Sequence, residues 1–104
     1  MADSPTERKG YVAECFWPGV RAADVQSAEA RARDSVAALT REGEGIAYLG
    51  ALLFPGDEVV FFEFDAVSME TVRRASEHAG LPFERIVESV GVSAKPPEHL
   101  EEAP

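Results

Sequence analysis

Several features are scarce in this chain, and each scarcity excludes something. Cys15 is the single cysteine in 104 residues, so no intrachain disulfide can form. No lysine or histidine stands near it in sequence to draw out a thiolate, and free cysteines are among the most buried residue types. Cys15 therefore reads as a small core residue. The two histidines, His78 and His99, lack the paired spacing of a zinc or nickel site. No apolar run approaches the ~20 residues that a membrane helix needs. The first ten residues lack the charged-then-apolar pattern of a secretory signal, so the expected location is the cytoplasm. Positive charge is also short: ten Lys and Arg stand against nineteen Asp and Glu, for a net charge of −9. A phosphate backbone or an anionic membrane calls for a positive surface, so neither nucleic acid nor membrane is an expected partner. No glycine-rich phosphate loop precedes a helix, and no Ser-His-Asp order is evident.

What is present describes a soluble globular domain. The chain is 45% hydrophobic and 28% charged, the balance of an ordinary folded protein, and its length suits one domain. A chain of this size buries roughly 60–65% of its unfolded surface, enough for one core without staples.

The hydrophobic period divides the chain into six elements. Tyr11-Val12-Ala13-Glu14-Cys15-Phe16-Trp17 has the aromatic and branched content of a central strand, and Pro18-Gly19 stops it. We place this first strand at 10–17. Val25, Ala28, Ala32, Val36 and Leu39 then recur at three- and four-residue intervals, the stripe of an amphipathic helix over 22–42 that Gly43 and Gly45 end. Ile46 to Phe54 reads as strand two, with Gly50 as a point of bulging. Pro55-Gly56-Asp57-Glu58 is a turn in which Gly56 should take the unusual dihedrals, and Val59 to Phe64 is strand three. Ser68 is an N-cap, Glu70 suits the first turn, and Met69, Val72, Ala75 and Ala79 form the stripe of helix two up to Gly80. His78 falls near its end, where a positive charge suits the dipole. Strand four is placed at 85–92. The flanks, a flexible tail at 1–9 and an acidic, proline-rich disordered tail at 93–104 that contains His99, bracket a domain at 10–92.

The order β-α-β-β-α-β is that of a ferredoxin-like α+β sandwich. It implies a four-stranded antiparallel sheet of order 4-1-3-2 with both helices on one face. Three segments add a resemblance. Tyr11-Val12-Ala13-Glu14-Cys15-Phe16-Trp17-Pro18-Gly19-Val20, then Tyr48-Leu49-Gly50, then Gly80-Leu81-Pro82-Phe83-Glu84-Arg85-Ile86-Val87-Glu88-Ser89 resemble a family of small bacterial ferredoxin-like domains of unknown function. One branch of that family is described as nickel-binding. The resemblance implies a homodimer, and by itself it is the ground for a nickel or other divalent-metal site; no cofactor is otherwise expected. The nickel branch carries histidines at the first strand and on the second helix. Here those places hold Glu14 and Cys15, and Ala75 and Ser76 followed by His78, so no tight nickel or zinc site is expected.

Chemistry, if present, should lie on the face of the sheet that the helices leave open. Strand side chains alternate. Assigning the uncharged set of each strand to the helices puts Tyr11, Ala13 and Cys15 inside. It leaves Glu14, Glu63 and Glu88 outside, on three neighbouring strands among Val12, Phe16, Phe61, Ile86 and Val90. An apolar face of that size calls for cover, and a second subunit stacked sheet to sheet would supply it. Like charges enclosed together repel, so that one or more acids takes up a proton or holds a cation. Glu14, Glu63, Glu88, Tyr48, Phe16 and Phe61 are therefore the candidate ligand-binding residues. Tyr48 of strand two could point its hydroxyl into the open-face cavity, its side depending on whether Gly50 bulges.

Three functions are open on this reading. The first is a homodimer that binds a small ligand or cation near Glu14. The second is a cofactor-free enzyme of isomerase, cyclase or oxygenase type with Glu14 as general base. The third is a purely structural or interaction protein whose acids are simply solvated or, for Glu14, held by a structural partner such as Arg85.

Overall fold

The computed structural model describes residues 7–91. The expected tail at 93–104, with His99, and most of the one at 1–9 lie outside the described residues. The elements follow in the order β1 (Lys9–Phe16), α1 (Ala22–Arg41), β2 (Ile46–Phe54), β3 (Val59–Ala66), α2 (Met69–His78) and β4 (Phe83–Ser89). The strands form one antiparallel sheet in the order β2-β3-β1-β4. This is the ferredoxin-like α+β arrangement expected from the pattern of periods, with β1 and β3 central.

The ends of the helices have local causes. The carboxylate of Asp24 accepts the Arg21 N–H at 2.9 Å and closes the first turn of α1. Ser68 caps α2 by accepting the Thr71 N–H at 3.2 Å. Both helices stop in the same way. Gly43 (φ +94°) and Gly80 (φ +70°) take the left-handed conformation, and the following N–H reaches back to Leu39 and Ser76 carbonyls, both at 3.0 Å. The turn between β2 and β3 departs from expectation. Glu58, not Gly56, takes the positive φ, at +57°. Its carbonyl accepts the Trp17 N–H at 2.7 Å and its carboxylate the Gly19 N–H at 2.9 Å. These bonds to the Trp17–Val20 turn offset the ~1–2 kcal/mol that a non-glycine residue costs in that region.

Burial alternates strictly along the two central strands. Tyr11, Ala13 and Cys15 of β1 and Val60, Phe62, Phe64 and Ala66 of β3 are buried beneath the helices. They meet Val25, Ala28, Val36 and Leu39 of α1 and Val72 and Ala75 of α2 in one core. The alanine-rich stripe of α1 lets the helix approach closely. The two helices are tied side by side: Ser35 Oγ donates to the Ala75 carbonyl and Arg31 Nε to that of Ala79, each at 2.8 Å. Met69, expected within the α2 stripe, is instead exposed at the first turn, and Thr71 and Ser76 are buried with Val72 and Ala75.

Candidate functional site on the open sheet face

Register arranges the open face in four rows across the strands. The first is Phe54, Val59 and Phe16 of β2, β3 and β1. The second is Leu52, Phe61, Glu14 and Arg85, the third Gly50, Glu63, Val12 and Val87, and the fourth Ala47, Asp65, Gly10 and Ser89. The face therefore grades from bulky and apolar at the Pro55–Glu58 end to small and acidic at the other. Phe16 and Leu52 are each 50% exposed and Phe54 43%. Phe54 and Phe61 pack edge to face with ring centres 5.4 Å apart. With Val59 and Asp57 they line a shallow depression of about 320 Å³.

Glu14 stands where the sequence put it, mid-strand on the open face, but its surroundings differ. Arg85 lies directly opposite on β4. Its Nε donates to Glu14 Oε1 at 2.7 Å and a terminal nitrogen to Oε2 at 3.4 Å. Accepting this bond, Glu14 holds the Arg85 guanidinium even further above its ordinary pKa. The carboxylate is thus a half of an ion pair rather than one member of an enclosed acid cluster. Glu63 is on the same face, half-buried between Val12 and Gly50.

Two candidates are elsewhere. Glu88 pairs with Tyr11 and shares the helix side with Ile86, which is 6% exposed. It sits exposed at the strand end, 3.9 Å from Lys9. The expectation for β4 failed because charge was used to choose the face. At the end of an edge strand a helix-side acid can stay wet, so its charge carries no parity. The strand also begins earlier than expected, at Phe83, and skips a residue between the pairs Cys15–Phe83 and Glu14–Arg85. Val87 and Arg85, not Ile86, Glu88 and Val90, are what β4 presents on this side.

Tyr48 is the second. Leu49 has no partner on β3, because Tyr48 pairs with Phe64 and Gly50 with Glu63. This bulge, with Gly50 at φ +148°, reverses the alternation and turns Tyr48 to the helices. There its hydroxyl donates to Glu29 of α1 at 2.6 Å, its ring meets Phe64 edge to face, and Arg33 lies over it. Burial and the bond to Glu29 raise its pKa above the usual phenol value, so it is a structural tie between α1 and β2.

A nickel centre finds no fitting donor set among the described residues. Among the described residues no group of three or more His, Cys, Asp or Glu side chains could hold a metal ion. Cys15 faces the core at 1% exposure, where burial, and secondarily Glu84, pushes its thiol up to about 12. His78 ends α2, on the other side of the sheet.

Leu52, Phe54 and Val87 were not among the sequence candidates, and Arg85 entered only as a structural partner for an ionised Glu14, the role it has here. The signal for Leu52 and Phe54 was available: the Pro55–Glu58 turn sets Phe54 opposite Val59, and alternation then aligns Leu52 with Phe61. No such local signal reaches Arg85, whose partner is 71 residues away.

No protein-family model matches the chain, and no curated protein matches it by sequence. In structure it is similar to SCO4226 of Streptomyces coelicolor A3(2), known from a crystal structure, with a TM-score of 0.62 and 20% identity, over 82% of this chain and 99% of that one. At that identity the likeness shows the fold alone.

Proposed function

We propose that the protein is a homodimeric binding module, with the open sheet faces of two copies packed on each other and a small ligand held at that interface. The observation that supports this is the apolar grading of the face, in which Phe16, Leu52 and Phe54 stand about half exposed beside Phe61. Contiguous apolar surface of this kind on a small soluble chain is a binding surface. Size supports it too. Four strands of seven to nine residues span a projected face of roughly 500 Å² at ordinary strand spacing and rise. With its side-chain relief this is comparable to the ~800 Å² per partner of a stable interface. The Glu14–Arg85 pair makes the middle of the face neutral, so two copies meet without a like-charge clash there.

The ligand this reading favours has an apolar body, for the Phe54–Val59–Phe61 depression, and a polar group within reach of the Glu14–Arg85 pair. A cation held by Glu14 is less favoured, since the carboxylate already has its counter-charge. The same bond disfavours Glu14 as a general base, because a proton acceptor needs free lone pairs aimed at substrate. The test is mass in solution. Light scattering at micromolar concentration is expected to give twice the 11.3 kDa of one chain, and Phe61→Asp to give a monomer or an insoluble chain. A clean monomer for the unsubstituted protein would refute the proposal.

A further inference from the structure

The two edges of the sheet are unlike. β4 carries Glu84, Arg85 and Glu88 in seven residues, the charged composition that keeps an edge from pairing. β2 has no charged residue and no proline in its nine, IAYLGALLF, and among the described residues it pairs only with β3. Leu49 within it is 60% exposed. Among the described residues its one protective device is the Leu49–Gly50 bulge, which twists one end away and leaves Ala51–Phe54 a regular, uncharged strand up to Pro55.

We propose that the Gly50–Phe54 edge pairs antiparallel with the same segment of a second copy, about a twofold axis at Leu52, to continue the sheet across two molecules. The side chains fit this register. With Leu52 opposite Leu52, Gly50 of each copy lies opposite Phe54 of the other on the open face, and the glycine leaves the space that the exposed ring needs. Ala51 lies opposite Leu53 on the helix side, again small against large. Shifting the axis by one residue to Leu53 sets Leu52 against Phe54 and Ala51 against Pro55, which has no N–H to donate. Five residues per copy make a small interface, below the size of a stable one, so the association belongs to high protein concentration. It engages the backbone edge of β2, whereas the stacked reading engages the face on which Leu52 and Phe54 also stand, and the two stand or fall separately.

Distance separates the two. Opposed residues in an antiparallel pair have Cα atoms about 4.5–5.5 Å apart, within disulfide reach, whereas stacked sheets lie ~10 Å apart, beyond the ~7 Å limit. Under mild oxidation at high concentration, full-length Leu52→Cys is expected to form a covalent dimer, whereas Phe61→Cys and the unsubstituted chain, with Cys15 buried, are not. Hydrogen exchange of the unsubstituted protein gives an independent reading: alternate amides of 51–54 should slow as concentration rises, with β4 unchanged. Stacked faces add no backbone bonds to β2 and leave this exchange unmoved. Failure of Leu52→Cys to cross-link, with concentration-independent exchange along β2, overturns the inference whatever the mass in solution.

Discussion

Phe16→Ala tests the stacked-face dimer where its energetics can be worked from the structure. Phe16 is 50% exposed on the open face, so its ring contributes little to the core of its own chain. A large aromatic side chain has roughly 200 Å² of surface, which puts about 100 Å² of Phe16 within reach of a partner. Counted on both copies, this is ~200 Å², or ~5 kcal/mol at ~25 cal/mol per Å². Burial at an interface rim is incomplete, and about half that figure is a fair expectation, which weakens the dimer by nearly two decades in Kd. Leu52 and Phe54 bring the exposed apolar area of the three residues to roughly 300 Å² per copy. That is ~15 kcal/mol gross for the pair of faces, against the ~4–15 kcal/mol cost of association. The margin is narrow enough that one residue should be felt. Sedimentation velocity over a dilution series measures both constants. Thermal melting of the variant at monomer concentrations checks that the fold is kept. Equal constants for the two proteins would refute the reasoning, because a face that buries Phe16 cannot be indifferent to its loss.

Three further outcomes are expected. Cys15 has a folded pKa of about 12 against an ordinary 9.0, so the stability it confers is complete below pH 9 and is lost as pH rises towards 12, at ~1.4 kcal/mol per unit. Between pH 8 and pH 10.5 urea unfolding of the natural chain should lose ~2 kcal/mol more than that of Cys15→Ala; parallel pH curves would mean that the thiol ionises as easily folded as unfolded. Tyr48→Phe removes the 2.6 Å bond to Glu29 and should destabilise the fold by ~1–2 kcal/mol, with dimerisation unchanged because the residue faces the helices; an unaltered urea midpoint would show the bond to be idle. Glu14→Gln leaves Arg85 without its carboxylate at the centre of the stacked faces, so it should weaken the dimer, and adding Arg85→Gln should recover part of the loss. A tighter dimer from Glu14→Gln alone would mean that the acid is a burden and not a partner.

Much of this domain was legible in the sequence because its signals are local. A period of 3.6 against 2, Ser68 before α2, glycine after each helix and Pro18-Gly19 after β1 depend on residues a few positions apart, and they placed the six elements and, through their order, the sheet. The face of each central strand followed as well: β1 and β3 are covered by helices along their length, so burial and charge alternate together. What the sequence did not decide was whatever depends on register between distant segments. One unpaired residue, Leu49, turned Tyr48 from the open face to Glu29. Pairing of β4 with β1, and not the charge of its residues, put Val87 in place of Glu88 on the open face and brought Arg85 to Glu14 across 71 positions. A shift of one residue in a strand moves every side chain to the other face, and nothing within the strand itself records it. The identity of the acids could be read from the chain. Which of them has a counter-charge is a property of the sheet alone.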